Sequence, residues 1–225
     1  MGDSKPNDIA LAVRKIIHTI PPNVTVLAAA KTRTLDEVEA VIQAGLVNIG
    51  YNYLQEAIPI IDSIGSRAKW HMIGHLQRNK AKKVAQYFDM VETVDSWRLA
   101  QSLESYCIEI GKVMSVLIEI NSGREENKTG VLPDNVDELI KMMKSLEYLH
   151  VVGLMTMGPR FGNPEDARPY FKATREVFDR LAAKNWPNID MRVLSMGMSN
   201  SYQIAIEEGA NLVRIGTRIF GVREP

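Results

Sequence analysis

The feature that most constrains this chain is a regular alternation of short apolar segments with amphipathic segments, running from residue 24 to residue 215. Each apolar segment is rich in β-branched or small residues and is bounded by turn-forming residues, as expected of a buried strand. Each amphipathic segment repeats its apolar residues at helical spacing. The predicted strands cover residues 24–30, 47–50, 70–73, 89–93, 113–120, 148–155, 190–194 and 212–215.

Helices are predicted before the first strand and after each of the first seven strands. Eight strands alternating with helices favour a closed, eight-stranded parallel βα barrel of the TIM type, with an extra N-terminal helix, over an open doubly wound sheet. A typical barrel of this kind has about 250 residues, so one domain over residues 1–225 is expected. The longest irregular stretch, Gly158 to Pro164, is predicted to be a loop. The predicted helices cover residues 7–18, 35–45, 53–62, 78–86, 97–110, 134–144, 165–183 and 201–208.

Charge and cysteine content exclude several classes of function. The 27 basic and 27 acidic residues cancel, which removes the bulk attraction to nucleic acids or anionic membranes. Cys107 is the only cysteine, so the chain can form neither an internal disulfide nor a thiolate metal cluster, as is typical of a reducing compartment. Residues 1–6 lack the apolar core of a signal peptide, and no apolar run approaches the roughly 20 residues that span a bilayer. We expect a cytoplasmic protein with no nucleic-acid or membrane partner.

Two donor-rich turns follow the last two predicted strands. The segment Ser195 to Ser201 opens a helix after strand seven, and Gly216-Thr217 follows strand eight. Small residues allow close approach of a ligand to the backbone, and barrels of this kind commonly bind phosphate after these two strands. Ser199, Asn200 or Ser201 could instead simply cap the helix. The second turn, at the neighbouring strand end, favours an anion site.

Lys31 is predicted to end the first strand, directly after three alanines at positions 28–30. Its amine should therefore emerge at the functional end of the barrel from a spot lined by small side chains. A lysine amine that loses its proton can add to an aldehyde as a Schiff base. A phosphate site on one side and such an amine on the other describe pyridoxal 5′-phosphate.

Seven blocks of the sequence, in order over nearly the whole chain, resemble the pyridoxal phosphate homeostasis protein family. Any one block is a weak signal, whereas seven in register are specific. The blocks are Ala30-Lys31-Thr32, residues 49–56 (IGYNYLQE), residues 70–80 (WHMIGHLQRNK), residues 121–123 with 128–130 (NSG and KTG), residues 153–158 (GLMTMG), residues 195–199 (SMGMS), and residues 213–217 with 219–221 (VRIGT and IFG).

The resemblance implies the fold of the alanine racemase N-terminal barrel domain standing alone, with pyridoxal 5′-phosphate as its cofactor. A guanidinium at the pyridine nitrogen keeps that nitrogen unprotonated, which makes the ring a poor electron sink. The residues that the resemblance assigns to the cofactor are Lys31 as the Schiff-base lysine, Ser199, Gly216 and Thr217 at the phosphate, Arg214 at the pyridine nitrogen, and Asn52 and His75 in the pocket lining.

The chain departs from the family at Tyr51, where relatives usually carry glutamate. A phenol stabilises nearby cations less than a carboxylate does, so the surroundings of Lys31 are expected to differ. His71 and His75 are four residues apart, and two histidines at this spacing can bind zinc when they lie on a helix, but residues 70–73 are predicted to form a strand. We expect core or pocket histidines and no metal site.

The sequence favours a binding protein over an enzyme. It predicts a monomer that holds pyridoxal 5′-phosphate reversibly through Lys31, buffers it, and delivers it to pyridoxal-phosphate-dependent apo-enzymes. Racemisation needs an acid or base on each face of the substrate's α-carbon. In alanine racemases a second domain supplies one of these two groups, and a chain of 225 residues is too short to contain that domain as well as the barrel. Two alternatives stay open: a weak amino-acid racemase that uses Tyr51 or Tyr53, and a cofactor-free enzyme acting on a small phosphorylated metabolite.

Overall fold

The computed structural model describes residues 4–159, 162–184 and 186–222, and in it eight parallel strands form one closed barrel. Each strand pairs with its neighbours in sequence, and β1 closes the ring by pairing with β8. The predicted fold class is confirmed. The strands are β1 (Thr25–Ala29), β2 (Asn48–Tyr51), β3 (Lys69–Met72), β4 (Met90–Val94), β5 (Met114–Ile120), β6 (Leu149–Thr156), β7 (Ile189–Ser195) and β8 (Leu212–Ile215).

The helices lie where the periodicity predicts them, with one addition at the C-terminal end. The predicted helices at 78–86 and 165–183 each begin as a 3₁₀ turn, and residues 160 and 161 of the predicted loop lie outside the described residues. Within the described ranges, no helix is long and apolar enough to cross a membrane. The helices are α1 (Ser4–Thr19), α2 (Leu35–Gln43), α3 (Leu54–Ile64), α4 (Ala81–Tyr87), α5 (Trp97–Ile110), α6 (Val136–Met143), α7 (Arg168–Ala182), α8 (Tyr202–Glu207) and α9 (Thr217–Phe220).

The N-terminal helix α1 completes the outer ring of helices. The last helix, α9, has only four residues and cannot cover the β8–β1 side of the barrel by itself. Helix α1 packs against α2 and α9, where the eighth helix of the ring would lie. Ile9, Val13 and Ile16 on one face of α1 are buried in the main core. The extra helix is therefore part of the barrel domain.

Strand alternation divides the core into two layers. Along β5, Val116, Ile118 and Ile120 point outward into the large core between barrel and helices. Leu117 points inward and packs in a separate small cluster with Val152 and other residues of β4, β6 and β7. Successive strand residues face opposite sides of the sheet, so the inward positions nearest the C-terminal strand ends are the ones that line the barrel mouth.

Gly153 permits an irregularity in the barrel wall. The register of β6 shifts next to this residue on both the β5 and β7 sides. A Cβ atom at Gly153 would lie 1.7 Å from the carbonyl oxygen of Val193. No rotation of a side chain can relieve an overlap between a Cβ and a backbone atom, so β6 and β7 can approach this closely only with glycine here.

We expect Gly153→Ala to lower the free energy of unfolding by about 3 kcal/mol or more, because the two strands must separate. The matched control is Gly111→Ala at the end of α5. Gly111 has φ +65° but nothing within 4 Å of the added Cβ, so only the left-handed backbone strain of about 1 kcal/mol applies. Urea unfolding followed by circular dichroism measures both. Equal losses would contradict the close approach of β6 and β7.

Candidate functional site

The two donor-rich turns are joined directly at the mouth of the barrel. The Oγ of Ser199 accepts a hydrogen bond from the backbone N–H of Gly216 at 3.1 Å. The carbonyl oxygen of Ser199 accepts a second hydrogen bond from Arg218 Nε at 2.6 Å. Thr217 begins α9 directly after Gly216. The structure therefore brings together three of the predicted phosphate-site residues.

The turn after β7 has its shape because of Gly197 and Ser201. Gly197 has φ +88°, and a Cβ there would lie 2.6 Å from the Cβ of Ala205, so this position requires glycine. The Oγ of Ser201 accepts a hydrogen bond from Met198 N within the same turn. Neither Ser199 nor Ser201 caps α8 through its side chain, so the alternative of simple helix capping does not describe Ser199.

Lys31 lies in a fixed turn just beyond β1. The strand ends at Ala29, one residue before the end of the predicted strand at 24–30, so Lys31 follows the strand and is not its last residue. The turn is closed by a hydrogen bond from Arg33 N to the carbonyl of Ala30, and Thr32, with φ +64°, donates its N–H to Glu56. This turn takes Lys31 out of the strand, whereas Ala30 still donates its N–H to the carbonyl oxygen of Gly50 in β2.

The Lys31 amine lies over an aromatic ring at the barrel rim. Its Nζ is 4.8 Å from the centre of the Tyr53 ring, and the pair makes a cation–π contact. Among the described residues, no carboxylate forms a salt bridge with Lys31. Ala29, two residues before, is next to Gly216: a Cβ on Gly216 would be 3.6 Å from the Ala29 Cβ. The lysine-bearing turn and the Ser199–Gly216 pair are therefore neighbours.

Arg33 ties the lysine-bearing turn to the C-terminal helix. Its Nη2 donates to the carbonyl oxygen of Gly221 at 3.0 Å, and its guanidinium lies 5.1 Å from the centre of the Phe220 ring. A second contact, to Glu37 of α2, holds the other side of the guanidinium. Arg33 thus links the turn after β1 to the end of α9 and to α2.

Asn52 and His75 lie at the same end of the barrel, after β2 and β3. Gly74 brings these two strand ends together, because a Cβ on it would overlap the carbonyl oxygen of Asn52 at 2.4 Å. The His75 side chain is half exposed, and its Nδ1 is 3.7 Å from Asp95 Oδ2. All seven predicted site residues therefore belong to the C-terminal end of the strands, although their roles toward a ligand stay predictions.

Tyr51 points away from the barrel interior. It is fully buried between barrel and helices, with its ring centre 6.4 Å from that of Trp70. Its hydroxyl has no hydrogen-bond partner in the described part of the chain. Burial, together with the charges of Glu56 and Glu37, raises the pKa of this phenol. Tyr51 therefore faces the helix layer rather than the mouth where Lys31 lies.

Arg214 is buried at the floor of the mouth in a chain of hydrogen bonds. Its Nη1 donates to Ser195 Oγ, and its Nη2 donates to the carbonyl oxygen of Thr156 at 2.8 Å. Ser195 Oγ in turn donates to Glu92 Oε2 at 2.7 Å. His71 Nδ1 donates to the other carboxylate oxygen of Glu92 at 2.8 Å. Strands β3, β4, β7 and β8 each supply one member of this Arg214 chain.

Charge compensation within the Arg214 chain keeps Glu92 ionised. Burial alone would raise the pKa of the Glu92 carboxyl, but the hydrogen bond from His71 and the charge of Arg214, 3.9 Å away, hold it below its ordinary value. Burial lowers the pKa of Arg214, while Glu92 and Glu119 oppose this shift. A guanidinium starts from so high a pKa that it remains charged. The barrel floor therefore presents a fixed positive group to the mouth.

Sequence reasoning missed the supporting members of the Arg214 chain. Glu92 is a charged residue within the otherwise uncharged strand β4, and a charge there is a signal of a paired interior position. From the sequence alone, Ser195 is only the first residue of the block 195–199. Its partner Glu92 is 103 positions away in sequence, so spacing alone could not connect the two.

We expect Glu92→Gln to lower the free energy of unfolding by about 3 kcal/mol at neutral pH, because it leaves Arg214 buried without its counter-charge. The folded-state pKa of Glu92 is depressed, so the stability it adds is present above the unfolded value of about 4.3 and is lost as the pH falls through the folded value. The difference from wild type should therefore shrink below about pH 4. Urea unfolding at several pH values measures this.

Glu109→Gln provides the control for this prediction. Glu109 is exposed, and its one salt bridge among the residues that the structure describes is with the exposed Lys82, so no measurable loss is expected. A loss for Glu92→Gln that is the same at every pH would show that the carboxylate charge has no part in holding Arg214.

The sequence matches the family model described as "Alanine racemase, N-terminal domain" over residues 7–224. Among curated relatives, the pyridoxal phosphate homeostasis protein of Aquifex aeolicus is 39% identical over 199 residues, which is 88% of this chain and 86% of the relative. The protein of the same name from Escherichia coli is 35% identical over 213 residues, or 91% of this chain and 88% of the relative.

Solved structures agree with these relationships. PipY of Synechococcus elongatus with bound PLP superimposes with a TM-score of 0.87 at 28% identity, covering 95% of this chain and 100% of that one. Alanine racemase of Clostridium difficile shares the fold, with a TM-score of 0.79 at 15% identity over 97% of this chain and 57% of the racemase. The seven motifs, the closed barrel and these matches over nearly the whole length lead to one conclusion: the chain belongs to the pyridoxal phosphate homeostasis protein family, built on the alanine racemase N-terminal domain fold.

Proposed function

We propose that this chain binds pyridoxal 5′-phosphate at the barrel mouth and serves in its homeostasis, as a reversible store and donor of the cofactor. The observation that carries the proposal is the contact of Ser199 with Gly216, which places an anion-binding turn beside the turn that bears Lys31. Two curated relatives are named pyridoxal phosphate homeostasis proteins, and the PipY structure contains bound PLP.

The donor set fits a phosphate. Because Ser199 Oγ accepts the Gly216 N–H, its own proton is free to be donated to an anion. Thr217 offers a second hydroxyl in the next residue. Glycine at 216 keeps the space beside β1 open, since a Cβ there would already lie 3.4 Å from the carbonyl oxygen of Ala29. A phosphate at this position would be held by neutral donors rather than by a surface lysine.

The amine of Lys31 fits the aldehyde of the same ligand. The backbone of its turn is anchored by Thr32 and Arg33, whereas the one side-chain contact found for Lys31 in the described part of the chain is the weak one with Tyr53. A bound pyridoxal 5′-phosphate supplies an electrophilic aldehyde that a lysine amine attacks reversibly. Lys31 thus holds the ligand by a covalent bond that hydrolysis can release.

Arg214 supports a binding role rather than catalysis. Its guanidinium is fixed by Ser195 and by the carbonyl of Thr156, and it keeps its own protons. Facing the pyridine nitrogen, it would leave that nitrogen unprotonated and limit the ability of the ring to stabilise a carbanion. The site then retains the cofactor without promoting the reactions that the cofactor supports elsewhere.

The positions of the two candidate tyrosines weigh against a racemase. Racemisation needs an acid or base opposite the lysine. Tyr51 faces the helix layer and is fully buried, and Tyr53 lies on the same side of the mouth as Lys31, directly under its amine. Delivery to pyridoxal-phosphate-dependent apo-enzymes, a monomeric state and a cytoplasmic location complete the proposal. The single cysteine supports the cytoplasmic location.

We expect purified protein mixed with pyridoxal 5′-phosphate to show a visible absorption band that borohydride removes, and Lys31→Ala to lack this band. Lys83→Ala, on the exposed face of α4, is the control and should behave as wild type. Absorption spectra during titration measure the effect. A wild-type protein that stays colourless would overturn the proposal and favour the cofactor-free enzyme on a phosphorylated metabolite.

We also expect no racemisation of L-alanine or L-serine by the loaded protein, because neither Tyr51 nor Tyr53 is placed opposite Lys31, where the second acid or base would have to act. Chiral chromatography after incubation measures the D-isomer, with free pyridoxal 5′-phosphate at the same concentration as background. Turnover at about 1 per second or faster, in the usual range of enzymes, would instead establish a racemase.

A further inference from the structure

Glu119 is a buried carboxyl group that the proposed function leaves unused. It lies near the C-terminal end of β5, between Ile118 and Ile120, which both point outward into the main core. Glu119 therefore points into the barrel, and only 6% of it is exposed. β5 is diametrically opposite β1 in the ring of eight strands. The carboxyl group thus lies across the barrel from the turn that bears Lys31.

Only one of the two Glu119 oxygens is satisfied. Oε1 accepts a hydrogen bond from Thr129 Oγ1 at 2.9 Å. Oε2 is buried and has no hydrogen-bond partner within the described ranges. A buried polar atom without a partner is destabilising, so such atoms are rare and call for an explanation. An atom of a bound ligand would provide the missing partner.

The surroundings of Glu119 favour its protonated form. Burial raises the pKa of the carboxyl, and the charge of Asp95 after β4 adds to the rise. The hydrogen bond from Thr129 and the charges of Arg214 and His75 act in the opposite direction but do not cancel it. With Oε1 accepting from Thr129, a proton on Oε2 has nothing in the described protein to which it can be donated.

We propose that Glu119 donates a hydrogen bond from Oε2 to the ligand in the barrel mouth, and that the acceptor is the phenolic oxygen of pyridoxal 5′-phosphate. The inference rests on the proposed function. In that function the aldehyde is taken by Lys31, the phosphate by the Ser199–Gly216 turn, and the pyridine nitrogen by Arg214. The phenolic oxygen is the one polar atom of the ligand that these residues leave without a partner.

Two substitutions at the same position test the donor. Glu119→Gln keeps an N–H donor of the same shape, and we expect the dissociation constant for pyridoxal 5′-phosphate to stay within about threefold of wild type. Glu119→Leu removes the donor but also removes an unsatisfied buried group, so it should fold and should weaken binding about tenfold or more. Calorimetric titration gives the constants, and thermal unfolding checks both folds.

An analogue of pyridoxal 5′-phosphate that lacks the phenolic oxygen tests the inference on the wild-type protein. Wild type should bind this 3-deoxy analogue about tenfold more weakly than pyridoxal 5′-phosphate, whereas Glu119→Leu should bind both equally. Unchanged affinity in Glu119→Leu, or equal affinity of wild type for both ligands, would overturn the inference. A Glu119→Gln loss as large as that of Glu119→Leu would also overturn it, by showing that an ionised carboxylate is needed.

The same titration separates this inference from the proposed function. Wild type that binds no pyridoxal 5′-phosphate at all would overturn both. Wild type that binds the cofactor with a visible band, together with a Glu119→Leu variant of equal affinity, would overturn only the role of Glu119.

Discussion

The structure depends on one electrostatic constraint: the positive charge of Arg214 inside the barrel must be matched there. A charge in a low-dielectric interior is tolerated only when it is paired and hydrogen-bonded. Glu92 supplies the opposite charge, and Ser195 and His71 fill the remaining hydrogen bonds of its carboxylate. Because these residues come from four different strands, the requirement fixes the relative positions of β3, β4, β7 and β8 at the level of the pocket floor.

Above this charged floor, the mouth is built from short turns whose shapes are set by small residues. A side chain at Gly74 or Gly216 would meet a neighbouring strand end, and a side chain at Gly197 would meet helix α8. The result is a pocket whose donors come from backbone-anchored turns rather than from mobile surface chains. Such a pocket suits a ligand that must be held firmly but released intact, because binding is shared among several modest interactions and one reversible bond.

The sequence was sufficient to predict the barrel and the end of the barrel at which the site lies, because both follow from the hydrophobic periodicity and the order of the strands. It placed Lys31, Ser199 and Gly216 together because neighbouring strand ends meet in a closed ring. It did not reveal the contact of Ser195 with Glu92, which depends on how deep each side chain reaches into the barrel. Nor did it show which way Tyr51 points, since a one-residue difference in where a strand begins reverses the face. Helix α9 was missed because four residues carry no periodic signal.

The placement of α1 has a consequence for how the chain reaches this structure. Within this domain, α1 and β1 are synthesised before the other elements, whereas two of their partners, β8 and α9, are synthesised after them. Contacts between such distant parts of a chain raise the contact order and form slowly. Until β8 and α9 have been synthesised, part of the apolar face of α1 and one edge of β1 remain uncovered, which makes the nascent barrel a natural client for chaperones that shield exposed apolar surface.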